Sequence, residues 1–154
     1  MSVDERMVHD IVQKVMANMQ ISGSVSGMHG VFKDMNDAIN ASIEAQKKVC
    51  TMTLDQREQI ISLIRKKTHE NAEILANMGV NETGMGNVGD KILKHHLTAD
   101  KVPGTEDIST IAWSGDRGLT LVEMGPFGVI GAITPATNPS ETVICNCIGM
   151  LAGG

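Results

Sequence analysis

The sequence predicts an α/β fold in which a helical N-terminal region leads into the first strand, loop and helix of a nucleotide-binding unit. Three observations support this prediction. Apolar residues recur at helical spacing over much of the first 97 positions, two short β-prone runs follow at residues 119–124 and 129–133, and a polar connection then precedes a last apolar helical run. In open α/β sheets, ligands bind at such a connection.

Composition excludes several classes of partner. A chain of 154 residues with 42% hydrophobic content can bury a core, and its net charge of -5 argues against nucleic acid or an anionic membrane as the main partner. No apolar run approaches the ~20 residues of a membrane span, and the acidic opening segment does not resemble a secretory signal. We therefore expect a cytoplasmic protein. Its three cysteines lack a metal-ligand pattern, so we expect reduced thiols and no metal site.

The first 31 residues form two separate predicted segments. Within residues 1–20, a short amphipathic helix is predicted at residues 4–19. Its apolar stripe consists of Val8, Ile11, Val12, Val15, Met16 and Met19. Residues 21–31 are rich in Gly and Ser and predict a flexible linker. The tethered stripe needs a partner surface, either another protein or its own domain.

Three further helices are predicted upstream of the β-prone runs. The first covers residues 34–49, and the second begins at Thr53, where Gln56 completes a capping box. Gly79 is predicted to end the second helix, and residues 90–97 form the third. The apolar side chains expected to face inward from the second helix are Ile60, Ile61, Ile64, Ile74, Leu75 and Met78.

The last third of the chain is predicted to change from helix to strand. Residues 102–118 are expected to form a loop, and a Gly-Pro-Phe-Gly turn separates the strands at residues 119–124 and 129–133. After a polar connection, Ser140 is predicted to cap a helix over residues 141–152. Because Gly-Gly follows that helix directly, the sequence is expected to be cut at a junction, with a strand next.

Three local motifs have simpler structural explanations. The segment 84–89 matches GxGxxG, but a helix and not a strand precedes it, so we expect a turn between helices. Cys145 and Cys147 lie two positions apart on a helix and point about 200° from each other, so we expect small core side chains and not a metal pair. His95 and His96 are expected on a solvated helix face.

The segment from Gly125 to Pro139 resembles the entry to the cofactor domain of the aldehyde dehydrogenase family. Most of that family carries Pro-Trp-Asn-Phe-Pro here, whereas the coenzyme-A-acylating branch carries Pro-x-Thr-Asn-Pro, as in Pro135–Pro139. The resemblance extends from about Phe32 to the end. It implies that residues 32–154 are the N-terminal part of an aldehyde dehydrogenase domain, truncated after the first strand-loop-helix of its Rossmann-like cofactor domain.

This resemblance implies an enzymatic function for the parent protein. The acylating branch oxidises a short aldehyde, acetaldehyde or propionaldehyde, with NAD and transfers the acyl group to coenzyme A. The family's nucleophilic cysteine would lie downstream of Gly154, so the chain alone is expected to be inactive, and the full-length protein is expected to be a homo-oligomer. The alternative is a short, non-catalytic interaction or scaffold module of a bacterial microcompartment.

The resemblance also implies site residues. It places Thr134, Pro135, Ala136 and Thr137 along the NAD, and it leaves both Thr137 and Asn138 as candidate amide donors to the oxyanion. On the following helix, Thr142 and Cys145 would face the aldehyde channel. Together with residues 134–138, these two complete the expected set of site residues.

The leading helix resembles the encapsulation peptides of microcompartment aldehyde dehydrogenases in ethanolamine, propanediol or fucose and rhamnose breakdown. This resemblance implies that residues 4–19 bind shell or cargo proteins and that the enzyme lies inside a bacterial microcompartment. Packing of the helix on its own enzyme is the alternative.

Overall fold

The computed structural model describes residues 30–154 of a chain that divides into two compact units, Met1–Ser42 and Ile43–Gly154. The amphipathic helix predicted at residues 4–19, and all but the last two residues of the predicted linker, lie outside the described residues. Helix α1, Met35–Val49, confirms the prediction for residues 34–49. The Asp34 carboxylate accepts a hydrogen bond from the Asn36 amide at 2.8 Å, and no side chain of α1 is fully buried.

Helix α2, Leu54–Thr83, begins at the predicted cap. The Thr53 hydroxyl accepts a hydrogen bond from the Gln56 amide at 3.2 Å, and the Gln56 side-chain oxygen accepts one from the Thr53 amide at 3.0 Å. This reciprocal capping box satisfies two backbone donors that the first turn of a helix leaves without intrahelical partners.

The predicted end of this helix at Gly79 is wrong. Residues 80–83 continue the helix, the Thr83 hydroxyl donates to the Gly79 carbonyl at 2.6 Å, and the chain turns only at Gly84, whose φ is 66°. The Gly84 amide donates to the Val80 carbonyl at 2.8 Å and closes the last turn. An interior glycine weakens a helix by about 1 kcal/mol relative to alanine without ending it.

Helix α3, Val88–Lys101, is longer than the predicted segment at residues 90–97. Its N-cap is Asn87, whose side-chain oxygen accepts a hydrogen bond from the Asp90 amide at 2.9 Å, and its C-cap is Val102, just before Pro103. Gly84 and Gly86 therefore lie in a turn between two helices, as predicted, whereas Gly89 lies in the first turn of α3. Since no strand leads into this turn, it lacks the context of a dinucleotide-binding loop.

Small side chains line the buried stripe of α2. Ile61, Thr68, Ala72 and Ala76 are buried, at the four- and seven-residue spacing of one helix face. The inward orientation predicted for Ile74 and Met78 is wrong, because these side chains are 58% and 61% exposed. Alanine side chains let neighbouring helices approach closely. The helix contact of α2 therefore lies along its alanines, and the longer apolar side chains lie outside that contact.

A polar contact also joins α2 to α3. The Nδ1 atoms of His69 and His96 are 2.7 Å apart, and the His69 Nε2 atom lies 2.8 Å from the Asp100 carboxylate. An ionised carboxylate only accepts, so His69 Nε2 carries a hydrogen. The three side chains thus form a chain of polar contacts across the two helices.

The loop predicted over residues 102–118 contains regular structure. A 3-10 turn forms at Thr105–Asp107, and strand β1, Ile111–Gly115, pairs antiparallel with strand β2, Gly118–Val122. Arg65 on α2 holds the first part of the segment, with its Nη2 atom 3.1 Å from the Val102 carbonyl and 2.9 Å from the Glu106 carboxylate.

The second predicted strand is absent among residues 30–154. Residues 119–124 largely form β2, but residues 129–133 have no strand partner. The turn that precedes them contains Gly128 with a φ of 97°. A β-prone sequence becomes a strand only when another segment completes its hydrogen-bond ladder, and β2 pairs with β1 instead. Ile133 is therefore 96% exposed.

Helix α4, Pro139–Gly153, supplies the rest of the core. Its N-cap is Asn138, and the prediction of Ser140 as the cap is wrong. Pro139 occupies the first turn, where a missing amide hydrogen costs no intrahelical bond. On its buried face, Ile148 and Ala152 pack with Ile61 of α2. Within the described residues, no helix is long and apolar enough to cross a membrane.

The two glycines near the end of α2 give a matched test of where the helix ends. Gly79 is helical with open space at its Cβ position, so Gly79→Ala should stabilise the protein by about 1 kcal/mol. Gly84 has positive φ, so Gly84→Ala should destabilise it by about 1 kcal/mol although its Cβ position is also open. Urea unfolding measures both changes, and the opposite pair of signs would contradict the observed helix end.

Candidate active site

The polar connection between the β-prone segment and α4 consists of residues 134–138 and lies on the surface. It is called the connection below. Thr134, Pro135, Ala136 and Thr137 are exposed, and Asn138 is half-buried. The Asn138 amide donates to the Pro135 carbonyl at 3.3 Å, and the Asn138 carbonyl accepts from the Thr142 amide at 3.1 Å. The connection thus turns once and enters α4 directly.

A buried lysine of α3 supports this connection. Lys91 is 5% exposed, and its Nζ atom donates a short hydrogen bond to the Thr137 carbonyl. The same atom lies 3.5 Å from Asn138 Oδ1 and 3.4 Å from Glu141 Oε1. An ammonium group has three donors, and each has an acceptor here. Lys91 therefore joins α3, the connection and the first turn of α4 at one point.

Glu141 is the anionic partner of this lysine and is 7% exposed. Burial acts to raise the pKa of its carboxyl. A hydrogen bond from its own backbone amide, together with His95 and Lys91, outweighs burial and holds the pKa below its usual value. The first turn of a helix also favours a negative charge. Glu141 is therefore ionised at neutral pH and balances the buried ammonium.

His95 completes the contact between α3 and α4. The solvated position predicted for it is wrong: the side chain is fully buried, with Nδ1 2.7 Å from the Lys91 carbonyl and Nε2 2.8 Å from the Ser140 hydroxyl. Because a carbonyl only accepts, His95 Nδ1 carries a hydrogen and donates it to the Lys91 carbonyl. His96 is partly exposed and faces His69 instead.

A second lysine of α3 contacts the connection from the exposed side. The Lys94 Nζ atom donates to Asn138 Oδ1 at 3.0 Å. Sequence reasoning missed Lys91, Lys94 and His95 as a group. Their spacing of three and four residues places them on one helix face, and this spacing was the available signal. It gives no information about what that face contacts.

The predicted channel residues lie on α4. Thr142 is half-buried, whereas Cys145 is exposed, as is Cys147. The prediction that the two cysteines are core side chains is wrong, because the buried face of α4 consists of Glu141, Ile148 and Ala152. Desolvation nevertheless raises the pKa of the Cys147 thiol. A raised pKa lowers the thiolate fraction and makes this cysteine a poor nucleophile.

A cavity of about 270 Å³ lies apart from the predicted site residues. Arg57 contributes to its wall and donates through Nη1 to the Ala152 carbonyl at 2.9 Å. The other lining residues are Cys50, Leu54, Ile108, Thr110, Glu123, Met124, Pro126, Gly153 and Gly154. In the part of the chain that the structure describes, no group of three or more His, Cys, Asp or Glu side chains could hold a metal ion.

Comparison with known proteins identifies the class to which this fold and connection belong. The chain is a member of the aldehyde dehydrogenase family, whose model matches residues 13–154. The acetylating acetaldehyde dehydrogenase of Bilophila wadsworthia is 45% identical over 159 aligned residues, which cover 97% of this chain and 32% of that protein.

Solved structures give the same result. A propionaldehyde dehydrogenase from the Clostridium phytofermentans fucose utilisation microcompartment is 77% identical, with a TM-score of 0.77 over 80% of this chain and 28% of its own. The Rhodopseudomonas palustris propionaldehyde dehydrogenase, solved with bound CoA and an acylated cysteine, is 47% identical with a TM-score of 0.77 over 82% of this chain and 29% of its own.

These matches confirm the predicted aldehyde-dehydrogenase-type fold class. They also fix the extent of the similarity, since the chain spans about a third of the length of the relatives it matches.

The lowered pKa of Glu141 predicts how stability depends on pH. A carboxyl whose pKa is lower in the folded state than in the unfolded state stabilises the protein at pH values above the unfolded-state pKa. This contribution is lost as the pH falls through the folded-state pKa. Stability should therefore fall as the pH drops below about 4.5, the ordinary value of this carboxyl. Glu141→Gln should be less stable at pH 7 and lose less on acidification, measured by urea unfolding at each pH.

Glu82→Gln is the matched control because it removes the same charge from an exposed position of α2. The control should keep the acid dependence of the unchanged protein. Equal acid dependence of the Glu141→Gln variant and the unchanged protein would contradict the assigned role of the Glu141 carboxylate.

Proposed function

We propose that this chain is the N-terminal part of an enzyme that oxidises a short aldehyde, acetaldehyde or propionaldehyde, to its acyl-coenzyme A thioester with NAD. One structural observation supports this proposal most directly. The connection is anchored on α3 through Lys91, while the surfaces of Thr134 and Thr137 and the Nδ2 atom of Asn138 remain available to a ligand. The acylating activities named for the relatives give the substrate class.

The chemistry of the connection suits a dinucleotide. Thr134, Pro135, Ala136 and Thr137 present exposed backbone and two hydroxyl groups, without a carboxylate that would repel phosphate. Bound NAD would accept the hydride from the aldehyde carbon. The residues of this chain would hold the cofactor in place through hydroxyl and backbone contacts.

Asn138 is the candidate that we favour as the oxyanion donor. When a cysteine thiolate attacks the aldehyde carbon, a C–S bond forms and the carbonyl electron pair moves to oxygen. Asn138 Oδ1 lies 3.0 Å from Lys94 Nζ and 3.5 Å from Lys91 Nζ, whereas the Nδ2 contact in the structure is with the Thr137 hydroxyl at 3.5 Å. An amide donor directed at the developing oxyanion stabilises it selectively in the transition state.

Thr142 and Cys145 are the proposed wall of the aldehyde channel, because both follow the connection on α4 and neither is fully buried. We place the nucleophilic cysteine outside these 154 residues, as the raised pKa of the Cys147 thiol and the acylated cysteine of the Rhodopseudomonas relative support. The acyl group would pass from that cysteine to the thiol of coenzyme A.

The proposed enzyme is a homo-oligomer that works in the cytoplasm inside a bacterial microcompartment. Apolar side chains exposed on both faces of the β1–β2 hairpin support self-association, and the source of the Clostridium relative supports the compartment. The sequence of residues 4–19 suits binding to a shell or cargo protein.

A chimera tests the proposed activity. Residues 1–154 joined to the remainder of the Clostridium phytofermentans enzyme should form NADH from propionaldehyde when coenzyme A and NAD are present, because the substituted part is 77% identical where they align. The 154-residue chain alone should form none. Absorbance at 340 nm measures both, and the Cys147→Ala chimera should retain the activity.

Loss of chimera activity on Cys147→Ala, or turnover by the 154-residue chain, would contradict the proposal that the nucleophilic cysteine lies downstream. The coding DNA beyond codon 154 separates the enzyme from the alternative scaffold module. A strand-like continuation followed by a cysteine nucleophile supports the enzyme, and a stop codon supports the module.

A second experiment tests the leading segment. Residues 1–20 fused to a fluorescent protein should form puncta only in cells that build microcompartments. Ile11→Glu with Val15→Glu should abolish the puncta, because burying two charges in the apolar stripe is unfavourable by several kcal/mol. Lys14→Gln with Asn18→Gln is the control and should leave them unchanged. Puncta in cells without shells would indicate self-association instead.

A further inference from the structure

We propose that Lys94 and Lys91 are positioning residues that fix the orientation of the Asn138 carboxamide, so that its Nδ2 hydrogens are the ones available to a ligand. The inference rests on the proposed function only for the identity of that ligand, the oxyanion formed from the aldehyde. The orientation itself follows from contacts between α3 and the connection.

The two lysines distinguish the two ends of the amide. Lys94 Nζ lies 3.0 Å from Asn138 Oδ1, and Lys91 Nζ lies 3.5 Å from the same atom. An ammonium group donates hydrogen bonds and never accepts them. Rotation of the amide by 180° would place its NH₂ group against both ammonium groups. The carbonyl oxygen is therefore held toward α3, and the NH₂ group is held away from it.

Lys91 is kept in place by its other partners. It is 5% exposed, it donates to the Thr137 carbonyl, and it is paired with the buried Glu141 carboxylate at 3.4 Å. His95 connects the two helices beside this pair through the Lys91 carbonyl and the Ser140 hydroxyl. Lys91 thus fixes the backbone of the connection, and Lys94 adds the shorter contact to the side chain.

The same contacts separate Asn138 from Thr137 as donors. The Thr137 carbonyl accepts from Lys91, and its hydroxyl is the 3.5 Å neighbour of Asn138 Nδ2. At that separation the amide hydrogens retain most of their capacity to donate to a closer acceptor. Lysine contact with Oδ1 also polarises the amide and makes the Nδ2 hydrogens stronger donors.

Lys94 is the residue on which to test this inference, because loss of Lys91 would leave Glu141 buried without its partner. In the chimera with the Clostridium enzyme, Lys94→Met should lower kcat by about tenfold and leave KM for the aldehyde nearly unchanged, as expected for an interaction that acts in the transition state. Lys94→Arg keeps a donor-only group and should restore most of kcat. Lys101→Met, on the exposed end of α3, is the matched control and should retain the parent kcat.

A double-variant comparison distinguishes positioning from general weakening of the fold. Asn138→Ala alone should lower kcat by about a hundredfold or more. Adding Lys94→Met to Asn138→Ala should lower it no further, because the residue being oriented is gone. An equal loss of kcat from Lys94→Met in both backgrounds would overturn the positioning role.

A readout that needs no catalysis separates this inference from the proposed function. With selective ¹⁵N-asparagine labelling of the chimera, the Asn138 side-chain NH₂ resonances are those missing from the spectrum of Asn138→Ala. Lys94→Met should shift them and Lys101→Met should not. Unshifted resonances in Lys94→Met would overturn the inference. An inactive chimera, or full kcat in Asn138→Ala, together with the expected shift would instead overturn the proposed function and retain the lysine-set orientation.

Discussion

The arrangement of the candidate site depends on one buried ammonium group, that of Lys91. A lysine in the interior is tolerated only when its charge and all its donors have partners. The Thr137 carbonyl, Asn138 Oδ1 and the Glu141 carboxylate supply them. Removing one member of such a pair costs about 3–5 kcal/mol because the other is left uncompensated. The connection and the first turn of α4 are therefore held on α3 as a unit.

The helices make this constraint rigid. Alanines at positions 72, 76 and 99 let α2 and α3 pack closely, and Ile61 packs with Ile148 so that α4 is held against α2. A site carried by packed helices is more precisely positioned than one on a free loop. The β-prone part of the chain is different. Phe127 and Ile133 are 97% and 96% exposed, and apolar exposure of this kind marks a surface that another protein segment covers.

Local chemistry explains which features the sequence could predict. The capping box of Thr53 and Gln56, the turn between α2 and α3 and the identity of the connection depend on neighbours a few positions apart, and all three were predicted. The end of α2 was misplaced because Gly79 and Gly84 carry the same side chain, and only backbone conformation distinguishes them. The polar contacts between α3 and the connection or α4 join residues 44 to 50 positions apart, so the buried state of Lys91 and His95 has no local signal.

The choice of lysines to orient Asn138 has an electrostatic consequence beyond geometry. A neutral donor could hold the same carbonyl oxygen, but a positive charge 3.0 Å from Oδ1 also draws electron density from the amide nitrogen. The buried Glu141 carboxylate pairs with Lys91, and within residues 30–154 no acidic side chain forms an ion pair with Lys94. The charge of Lys94 is therefore not cancelled at the amide. An Asn138 held in this way combines a fixed direction with a strengthened donor, and both properties favour a negative charge that forms only during the reaction.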